Sequence, residues 1–435
     1  MNAQRSFFAV LIFFLLIVSV CLNYSCSKAP AAEPVKIGLI TAITDKNNPS
    51  FQSDKDERIQ AAKLAIDEIN EAGGIYGRKL SLLIEDSRND KVFAAQRARD
   101  LIKVGAAVII GPTTSSQLEY VADSVASKEG IVFVSPSATS PDISQIKSDS
   151  GNFIWRTCPS DIFQANIAAR YIYGDLKKSR LAIIYVDNSY GKTFSDLLNR
   201  RFTAKKGTVT AMVPYPAEME DNMGYDFSGH IEKLLKGNPE VVYIISATEA
   251  GKILKDMQKY LTEKKLQKPL IMGCDGNYDM RVLSNTDKTF AEGMTGTAPA
   301  MSKDDPNFRK FAENYKEKYG NYPVSAWAAS TYDAVYCVAY AMLKEGVQKI
   351  NDALPAQLSR AVSANLGSIS QNGTPVGVGE FRKGSDILKN GGEIDYEGAS
   401  GDIDFDSNGD ITGGTYLIWQ VKNGSFEELR TEKYP

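Results

Sequence analysis

The sequence predicts an α/β protein built from two similar lobes. Apolar runs alternate with amphipathic helical segments, a pattern typical of parallel sheets covered by helices. This series occurs twice, over residues 35–134 and again over 181–296. The chain of 435 residues also exceeds the size at which a single core usually stops growing.

The first series begins with a strand at Val35. A helix follows in which apolar residues from Ile59 to Ile69 recur at helical spacing, and Gly73-Gly74 ends it. The remaining predicted elements are strands over 80–85, 108–110 and 131–134 and a helix over 92–103.

The second series predicts strands over 181–186, 241–245 and 270–272 and helices over 194–202, 227–235 and 250–261. Helices over 306–319, 330–344 and 351–363 have no strands between them, so we expect them to complete the first lobe. After Gly367 the sequence predicts short β segments, ending in a hairpin with its turn at Asn423-Gly424.

Polar turns follow five of the predicted strands. The strand over 108–110 leads directly into Gly-Pro-Thr-Thr-Ser-Ser over 111–116, which opens a helix. Unpaired N–H groups, the helix dipole and hydroxyl donors all favour a bound anion there. Similar turns stand at 135–139, 187–191, 246–249 and 273–276. Open α/β sheets bind ligands at these strand ends, so a cleft site is predicted.

Composition and motifs exclude several functions. A net charge of −3 gives no electrostatic reason to expect nucleic acid. The single histidine, His230, begins a predicted helix and is interpreted as a helix-surface residue, which argues against a serine-hydrolase triad or a histidine-rich metal site. Gly377-Val378-Gly379 is not a dinucleotide fingerprint, because Arg382 replaces the third glycine. No catalytic residue, cofactor or metal is predicted.

Residues 404–410 imitate the first half of a calcium-binding EF-hand loop. The twelfth position is Thr415, where such loops have glutamate, and the flanks resemble strands. A tight turn between two strands is therefore favoured over a calcium site.

Residues 1–25 are interpreted as an export signal, because Arg5 precedes an apolar run over 7–22. A membrane-spanning anchor is the alternative, but the run is shorter than the roughly 20 apolar residues that a span needs. Ser25-Cys26-Ser27 suggests a lipoprotein cleavage site with Cys26 acylated, although Asn23 stands where leucine is usual. Residues 26–33 form a predicted tether. The protein is thus expected to be exported, periplasmic or anchored on the extracytoplasmic side.

The other cysteines, Cys158, Cys274 and Cys337, are too far apart for a CxxC redox or zinc motif. An exported protein could form one disulfide among them. Cys337 lies in an apolar run and is interpreted as a buried small hydrophobic residue.

Several short strings, taken in order, resemble a known family. They are Val-Lys-Ile-Gly-Leu-Ile over 35–40, Ala-Ile-Asp-Glu-Ile-Asn over 65–70, Gly-Gly-Ile-Tyr-Gly over 73–77, Ile-Gly-Pro over 110–112 with Ser-Ser at 115–116, Tyr-Gly at 190–191, Pro-Glu-Val-Val-Tyr over 239–243, Ser-Thr-Tyr-Asp-Ala over 330–334, and Tyr-Glu-Gly-Ala-Ser-Gly over 396–401 with Phe-Asp at 405–406. The chain resembles the type I periplasmic binding proteins of the branched-chain amino acid family, which are receptors for ABC importers.

The resemblance implies two Rossmann-like lobes joined by a three-strand hinge, with a small ligand bound in the cleft as the lobes close. Mapped onto this chain, the first lobe is 34–158 plus 298–400, and the second is 159–297 plus 401–435.

The resemblance also implies a set of ligand-binding residues. The ligand carboxylate is expected at Ser115 and at the loop of Ser137, Ala138 and Thr139. The ligand ammonium is expected at Asp275. Tyr190 is the implied cleft tyrosine, and Trp327 the aromatic residue that covers the ligand side chain.

Each of these residues also has a purely structural interpretation. Ser115 could only cap its helix, Asp275 could only fix the turn before Gly276, and Trp327 could belong to the core.

Two departures from the branched-chain binders bear on specificity. Ser246-Ala247-Thr248 stands where those proteins often have an aromatic residue, and the loop over 44–56 is long and highly charged. Both changes predict a pocket that is more polar or roomier than one shaped for leucine, so the ligand is expected to be an amino acid, an amide or a less related solute.

Taken together, the sequence predicts a non-enzymatic, exported solute-binding protein. It would capture an amino acid or a related small polar solute by cleft closure and deliver it to an ABC importer permease. The alternative is a sensory module of the same fold that reports a ligand to a signalling partner. An enzyme is the least favoured reading of the sequence.

Overall fold

Strands and helices alternate along the chain, as the sequence predicts. The computed structural model describes residues 33–44, 56–146, 149–301, 303–350 and 353–434. The strands are β1 (Val35–Thr41), β2 (Leu80–Asp86), β3 (Ala106–Ile110), β4 (Val132–Ser135), β5 (Ile154–Arg156), β6 (Arg180–Asp187), β7 (Thr208–Pro216), β8 (Val241–Ile245), β9 (Leu270–Gly273), β10 (Thr295–Pro299), β11 (Thr374–Val376), β12 (Ile394–Gly398), β13 (Gly401–Asp402), β14 (Gly414–Lys422) and β15 (Ser425–Tyr434).

Most of the predicted helices begin near their predicted positions, whereas the helix over Asp161–Arg170 was not predicted. Capping aspartates such as Asp56 and Asp90 precede several helices. The helices are α1 (Glu57–Glu71), α2 (Lys91–Lys103), α3 (Ser115–Val121), α4 (Ser127–Glu129), α5 (Asp161–Arg170), α6 (Ser189–Ala204), α7 (Ser228–Leu235), α8 (Ala250–Lys264), α9 (Met280–Ser284), α10 (Lys288–Ala291), α11 (Pro306–Tyr319), α12 (Ala326–Lys344), α13 (Val347–Ile350), α14 (Pro355–Asn365) and α15 (Phe381–Lys389).

Two large sheets share one strand order. The first sheet runs β2-β1-β3-β4-β5 and is parallel throughout. The second runs β7-β6-β8-β9-β10 in parallel and is extended by the antiparallel hairpin of β14 and β15. In both sheets the strand that comes first in the sequence lies between the second and the third. The connections from neighbouring strands therefore run to opposite faces of the sheet and leave a crevice at the carboxyl ends of these strands. The predicted α/β class with two Rossmann-like lobes is confirmed.

Separate apolar cores cover the two sheets. Buried residues of β1 and β3 pack with α1, α11, α12 and α14, whereas β6, β8 and β9 pack with α5 to α8. The chain passes between the lobes after β5, after β10 and before β14. The lobe boundaries given above stay a prediction.

The structure also differs from the expectations. The short β segments predicted after Gly367 are present as β11, β12 and β13, but the prediction missed helix α15 over Phe381–Lys389. Gly384 obscures this helix in the sequence, but it lies against Tyr340, where an added Cβ would be 2.6 Å from the ring. The short strand β5 and the partly exposed strand β7 lacked a strong apolar pattern and were not predicted.

The N-terminal predictions lie outside the described residues. The export signal over 1–25, the tether and Cys26 therefore stay predictions. Among the described residues, none of the helices combines the length and apolar character needed to cross a membrane.

The buried carboxylate of Asp333 joins two of the sequence motifs that resemble the periplasmic binding protein family, those over 330–334 and 396–401. Asp333 of α12 accepts hydrogen bonds from the Tyr396 hydroxyl at 2.8 Å, from the Ala399 and Ser400 amides at 2.7 and 2.8 Å, and from the Ser400 hydroxyl at 2.6 Å. Gly398 is required here, since an added Cβ would lie 2.5 Å from the carboxylate. Burial raises the pKa of Asp333 to about 6. The Asp333 side chain therefore fixes the turn between β12 and β13.

We predict that Asp333→Ala lowers the free energy of unfolding by about 3 kcal/mol, because it leaves several buried donors without an acceptor. Urea unfolding followed by circular dichroism measures the loss. Asp386→Ala, which changes an exposed aspartate on α15, should alter stability by less than about 0.5 kcal/mol. Equal stability of the two variants would contradict the role assigned to Asp333.

Candidate functional site

A cavity of about 140 Å³ lies between the two lobes. Loops that follow β1, β3 and β4 line it from the first lobe, and loops that follow β6, β7, β8 and β9 line it from the second. The lining residues are Arg58, Thr113, Thr114, Ser115, Ser116, Ser137, Thr139, Asn188, Tyr190, Glu220, Ser246, Ala247, Asp275, Gly276 and Trp327. A cavity of roughly 150 Å³ can hold a molecule the size of benzene, so this one suits a small solute.

Hydroxyl groups line the side of the cavity formed by the first lobe. The Ser115 hydroxyl oxygen accepts a hydrogen bond from the Ser140 amide at 3.1 Å, and the Ser137 hydroxyl donates to the Thr113 carbonyl at 2.8 Å. Thr114 Oγ1 is buried and has no hydrogen-bond partner within the described ranges. Ser115 and Ser116 also open α3, whose first amides have no partner within the helix. This wall can hold a carboxylate.

Acidic groups line the opposite side. The Tyr190 hydroxyl donates a hydrogen bond of 2.7 Å to Asp275 Oδ1. Burial raises the pKa of Asp275, and burial together with the charge of Asp275 raises the pKa of Asp161 well above its usual range. Two neighbouring buried carboxyl groups resist ionising together unless a cation joins them. This side of the cavity can therefore hold an ammonium group.

The structure brings six of the seven residues expected to bind ligand to this one cavity: Ser115, Ser137, Thr139, Tyr190, Asp275 and Trp327. Ala138 does not line the cavity. Its amide donates to Ser135 Oγ and its carbonyl accepts from Arg156, so both backbone groups face protein atoms.

The structure also bears on the purely structural interpretations of Ser115, Asp275 and Trp327. Thr114 occupies the capping position of α3, and the Ser115 hydroxyl instead bonds the loop after β4. Asp275 begins a short helical turn, but its carboxylate bonds Tyr190 on another element. Trp327 is partly exposed on the first turn of α12 and lies at the cavity wall.

Sequence reasoning missed four polar residues at or beside the cavity. Arg58, Asn188 and Glu220 line it, and Asp161 lies beside Asp275. Arg58 had a local signal, because an aspartate two residues earlier both caps the helix and pairs with the guanidinium. Glu220 follows the strand that the apolar pattern did not predict, so its position could not be anticipated.

A buried arginine supports the hydroxyl wall from behind. Arg156 is fully buried, and its Nε donates to Asp410 Oδ1 at 2.5 Å. Its Nη1 donates to the carbonyls of Ala138 and Ser140 at 3.2 and 2.8 Å, which fixes the loop after β4. Asp410 comes from the segment that resembled half of a calcium loop. That segment is a tight turn closed by the Phe405–Ile411 bridge, and the carboxylate of Asp410 is engaged by Arg156.

Hydrogen bonds outside the cavity join the two lobes. The Ser189 hydroxyl donates to Glu119 and lies 3.1 Å from Ser140 Oγ. At a second place, Asn89 donates to Asp221 at 3.4 Å. The two lobes are therefore in direct contact on the outside of the cavity, as in a closed cleft.

The three cysteines within the described ranges lie in the protein interior. Cys158, Cys274 and Cys337 are buried and form no disulfide with one another. Burial raises the pKa of the Cys158 and Cys274 thiols, which makes them poor nucleophiles. Across the described ranges, histidine, cysteine and acidic side chains form no group that could hold a metal ion.

Comparison with protein families identifies one match. Residues 57–424 match the family described as "Receptor family ligand binding region". The match includes every cavity-lining residue and every strand of the two large sheets except β1 and β15.

Individual relatives cover nearly the whole chain. The Leu/Ile/Val-binding protein BraC3 of Rhizobium johnstonii is 27% identical over 92% of this chain and 95% of its own length. A chemotactic signal transduction substrate-binding protein, BasB of Halobacterium salinarum, is 26% identical over 91% of this chain and 89% of its own. Among solved structures, the branched-chain amino acid binding protein LivJ of Streptococcus pneumoniae, in complex with isoleucine, superposes with a TM-score of 0.70 at 21% identity, covering 92% of this chain and 99% of LivJ.

We predict that Asp410→Ala lowers the free energy of unfolding by about 3 kcal/mol, because it leaves the buried Arg156 charge without its carboxylate. Chemical unfolding measures this. Asp402→Ala is the matched control, since Asp402 pairs with Lys433 on the surface at 3.0 Å and exposed pairs contribute at most about 1 kcal/mol. The role of Asp410 is refuted if both substitutions cost the same.

Proposed function

The chain belongs to the receptor ligand-binding family, and we propose that it is a solute-binding protein of an ABC importer, of the type I periplasmic binding proteins of the branched-chain amino acid group, to which its relative BraC3 points. Its ligand is an amino acid or a related small polar solute. The observation that carries this proposal is a cavity that has hydroxyl groups on one wall and the carboxyl group of Asp275 on the other.

The two walls match the two charged groups of an α-amino acid. Hydroxyls and helix amides near Ser115 and Thr139 suit the carboxylate, and Asp275, held by Tyr190, suits the ammonium. Ser115, Ser137, Thr139, Tyr190 and Asp275 are therefore proposed as the residues that recognise the amino acid backbone.

Trp327 is proposed to cover the ligand side chain from the first lobe. For Ala138, any contribution would be limited to fixing the loop, because its polar groups bond Ser135 and Arg156.

Delivery to an importer requires a shape that depends on the ligand. The ligand would bind between lobes connected only by three crossings, and closure would bring Ser189 to Glu119. An importer permease would then recognise the closed form.

The protein is proposed to act outside the cytoplasm. Relatives such as BraC3 are named as binding proteins for amino acids, and the interpretation of residues 1–25 as an export signal fits that role. Acylation of Cys26 would hold the protein at the membrane beside its importer.

A sensory role is the second candidate. BasB, a substrate-binding protein of a chemotactic system, is 26% identical to this chain, and BraC3 is 27% identical. Sequence identity therefore supports a sensory role about as well as a role in transport. In both roles the cleft binds a ligand and closes, and the roles differ only in the membrane partner that reads the closed form.

Thermal unfolding of the mature chain, with common amino acids, amides and small carboxylates added singly, tests the proposal. A ligand present at 100 times its Kd should raise the Tm by roughly 5 °C, since it binds only the folded form. Ser115→Ala and Asp275→Asn should each weaken binding of that ligand about 10-fold or more, because each removes a hydrogen bond to a charged group.

Asp386→Asn, a surface change far from the cleft loops, should leave the shift intact. Absence of any shift across the whole panel would overturn the proposed ligand class. Retention of the shift in both cleft variants would overturn the assigned residues.

We further predict that Ser189→Ala speeds ligand dissociation about 5-fold, because it removes a bond worth about 1 kcal/mol that forms between the lobes. Stopped-flow fluorescence measures the rate. Thr203→Ala, at the far end of the same helix, is the control. An unchanged dissociation rate in Ser189→Ala would mean that this contact does not stabilise the closed cleft.

A further inference from the structure

Arg58 lines the cavity but has no role in the recognition of the amino acid backbone proposed above. Arg58 lies in the first turn of α1, and its side chain is 22% exposed. Its Nε donates to Asp56 Oδ1 at 3.0 Å and its Nη2 to Asp56 Oδ2 at 2.6 Å. Nη1 has no hydrogen-bond partner in the described part of the chain, so the outer edge of the guanidinium is available to a ligand.

The order of the strands places the segment that carries Arg58 next to the loops of the hydroxyl wall. Arg58 follows β1, whereas Ser115 follows β3 and Thr139 follows β4, and these three strands are neighbours in that order. Adjacent strands are about 4.8 Å apart. Arg58, Ser115 and Thr139 line the same small cavity, so a ligand held at the hydroxyl wall can reach the guanidinium with its side chain.

The guanidinium keeps its charge in this position. Burial lowers the pKa of Arg58, but the carboxylate of Asp56 raises it, and the net direction is upward even though the charge of Arg281 in the second lobe acts against it. Asp56 is itself held in place by its bond to the Arg58 amide at 2.8 Å. The pair thus presents fixed N–H donors toward the cavity.

The second lobe contributes small side chains to the cavity. Ser246 and Ala247, which follow β8, line it where an aromatic side chain would narrow it. Trp327 and Tyr190 are the large aromatic side chains among the residues that line the cavity. A branched aliphatic side chain would leave the guanidinium donors without an acceptor in a closed cleft, which is unfavourable.

We propose that Arg58 and Asp56 form a subsite for the outer end of the ligand side chain, and that the ligand is an amino acid whose side chain ends in a carboxylate or carboxamide oxygen. This inference rests on the proposed function and names its substrate class. Arg58 supplies the donors, and Asp56 orients Arg58 and offsets its charge. Specificity follows because a site built to hydrogen-bond a polar group strongly rejects an analogue that lacks it.

Calorimetric titration of the wild-type mature chain with matched pairs of amino acids is the first test. Glutamate and glutamine are compared with methionine, and aspartate and asparagine with leucine, at equal concentration. At least one polar member should bind about 100-fold more tightly than its aliphatic counterpart. Tighter or equal binding of methionine, leucine or valine would overturn this inference and leave the proposed function standing. Failure of every amino acid to bind would overturn both.

Arg58→Met is the second test. The variant should lose about 100-fold in affinity for the polar ligand and gain about 10-fold for methionine or leucine. A gain cannot come from misfolding, so this readout separates specificity from stability. Lys63→Met, on the exposed face of the same helix, should keep the wild-type profile. An unchanged ligand profile in Arg58→Met would refute the subsite.

Asp56→Asn tests the assigned role of the carboxylate. Asparagine keeps the helix cap but no longer offsets the Arg58 charge. The ratio of affinities for glutamate over glutamine, or aspartate over asparagine, should therefore rise about 10-fold. A ratio equal to that of the wild type would show that Asp56 does not tune the subsite.

Discussion

A fully buried guanidinium constrains the region where the lobes meet. Arg156 ends β5 and has no exposure to solvent, so its charge must be balanced inside the protein. Asp410 supplies the balancing charge from the last crossing, and the carbonyls of Ala138 and Ser140 accept the remaining bonds. The loop that forms the hydroxyl wall, the first crossing and the last crossing must therefore fold around one side chain. The seemingly unrelated acidic turn over 404–410 has its structural explanation in this requirement.

The candidate site exists only because loops of two sheets face each other across one cavity. Each sheet has its first strand between the second and third, so each opens a crevice at its carboxyl edge. Neither crevice is complete by itself: hydroxyls near Ser115 come from one lobe, and Asp275 with Tyr190 comes from the other. A ligand that carries opposite charges at two ends would hold both lobes at once. This is the physical reason that binding and closure are expected to occur together.

Charge within the cleft is distributed in a way that limits the possible ligands. Burial disfavours the ionised forms of Asp275 and Asp161, and the charge of Asp275 further disfavours ionisation of Asp161, so a cation between the lobes would be stabilised there. Arg58 and Asp56 together contribute no net charge but leave directed N–H donors. An ammonium at one side and an oxygen acceptor at the other would satisfy both sets of groups. An amino acid with an aliphatic side chain would satisfy the carboxyl groups through its ammonium but would leave the Arg58 donors without an acceptor.

The sequence by itself determined the elements and the chemistry of the loops. Buried strands and amphipathic helices follow from local apolar periodicity, and hydroxyl-rich turns after strands are visible in the same way. Ser115 and Asp275 could be placed at strand ends for that reason. Tertiary structure decided the rest, because contacts such as Arg156 with Asp410 join residues 254 positions apart. Three features depend on how the loops of two sheets meet: Arg58 lines the cavity, Ala138 does not, and Asp161 lies close enough to Asp275 for its pKa to be affected. No local pattern encodes that arrangement, since it arises only when both cores have packed.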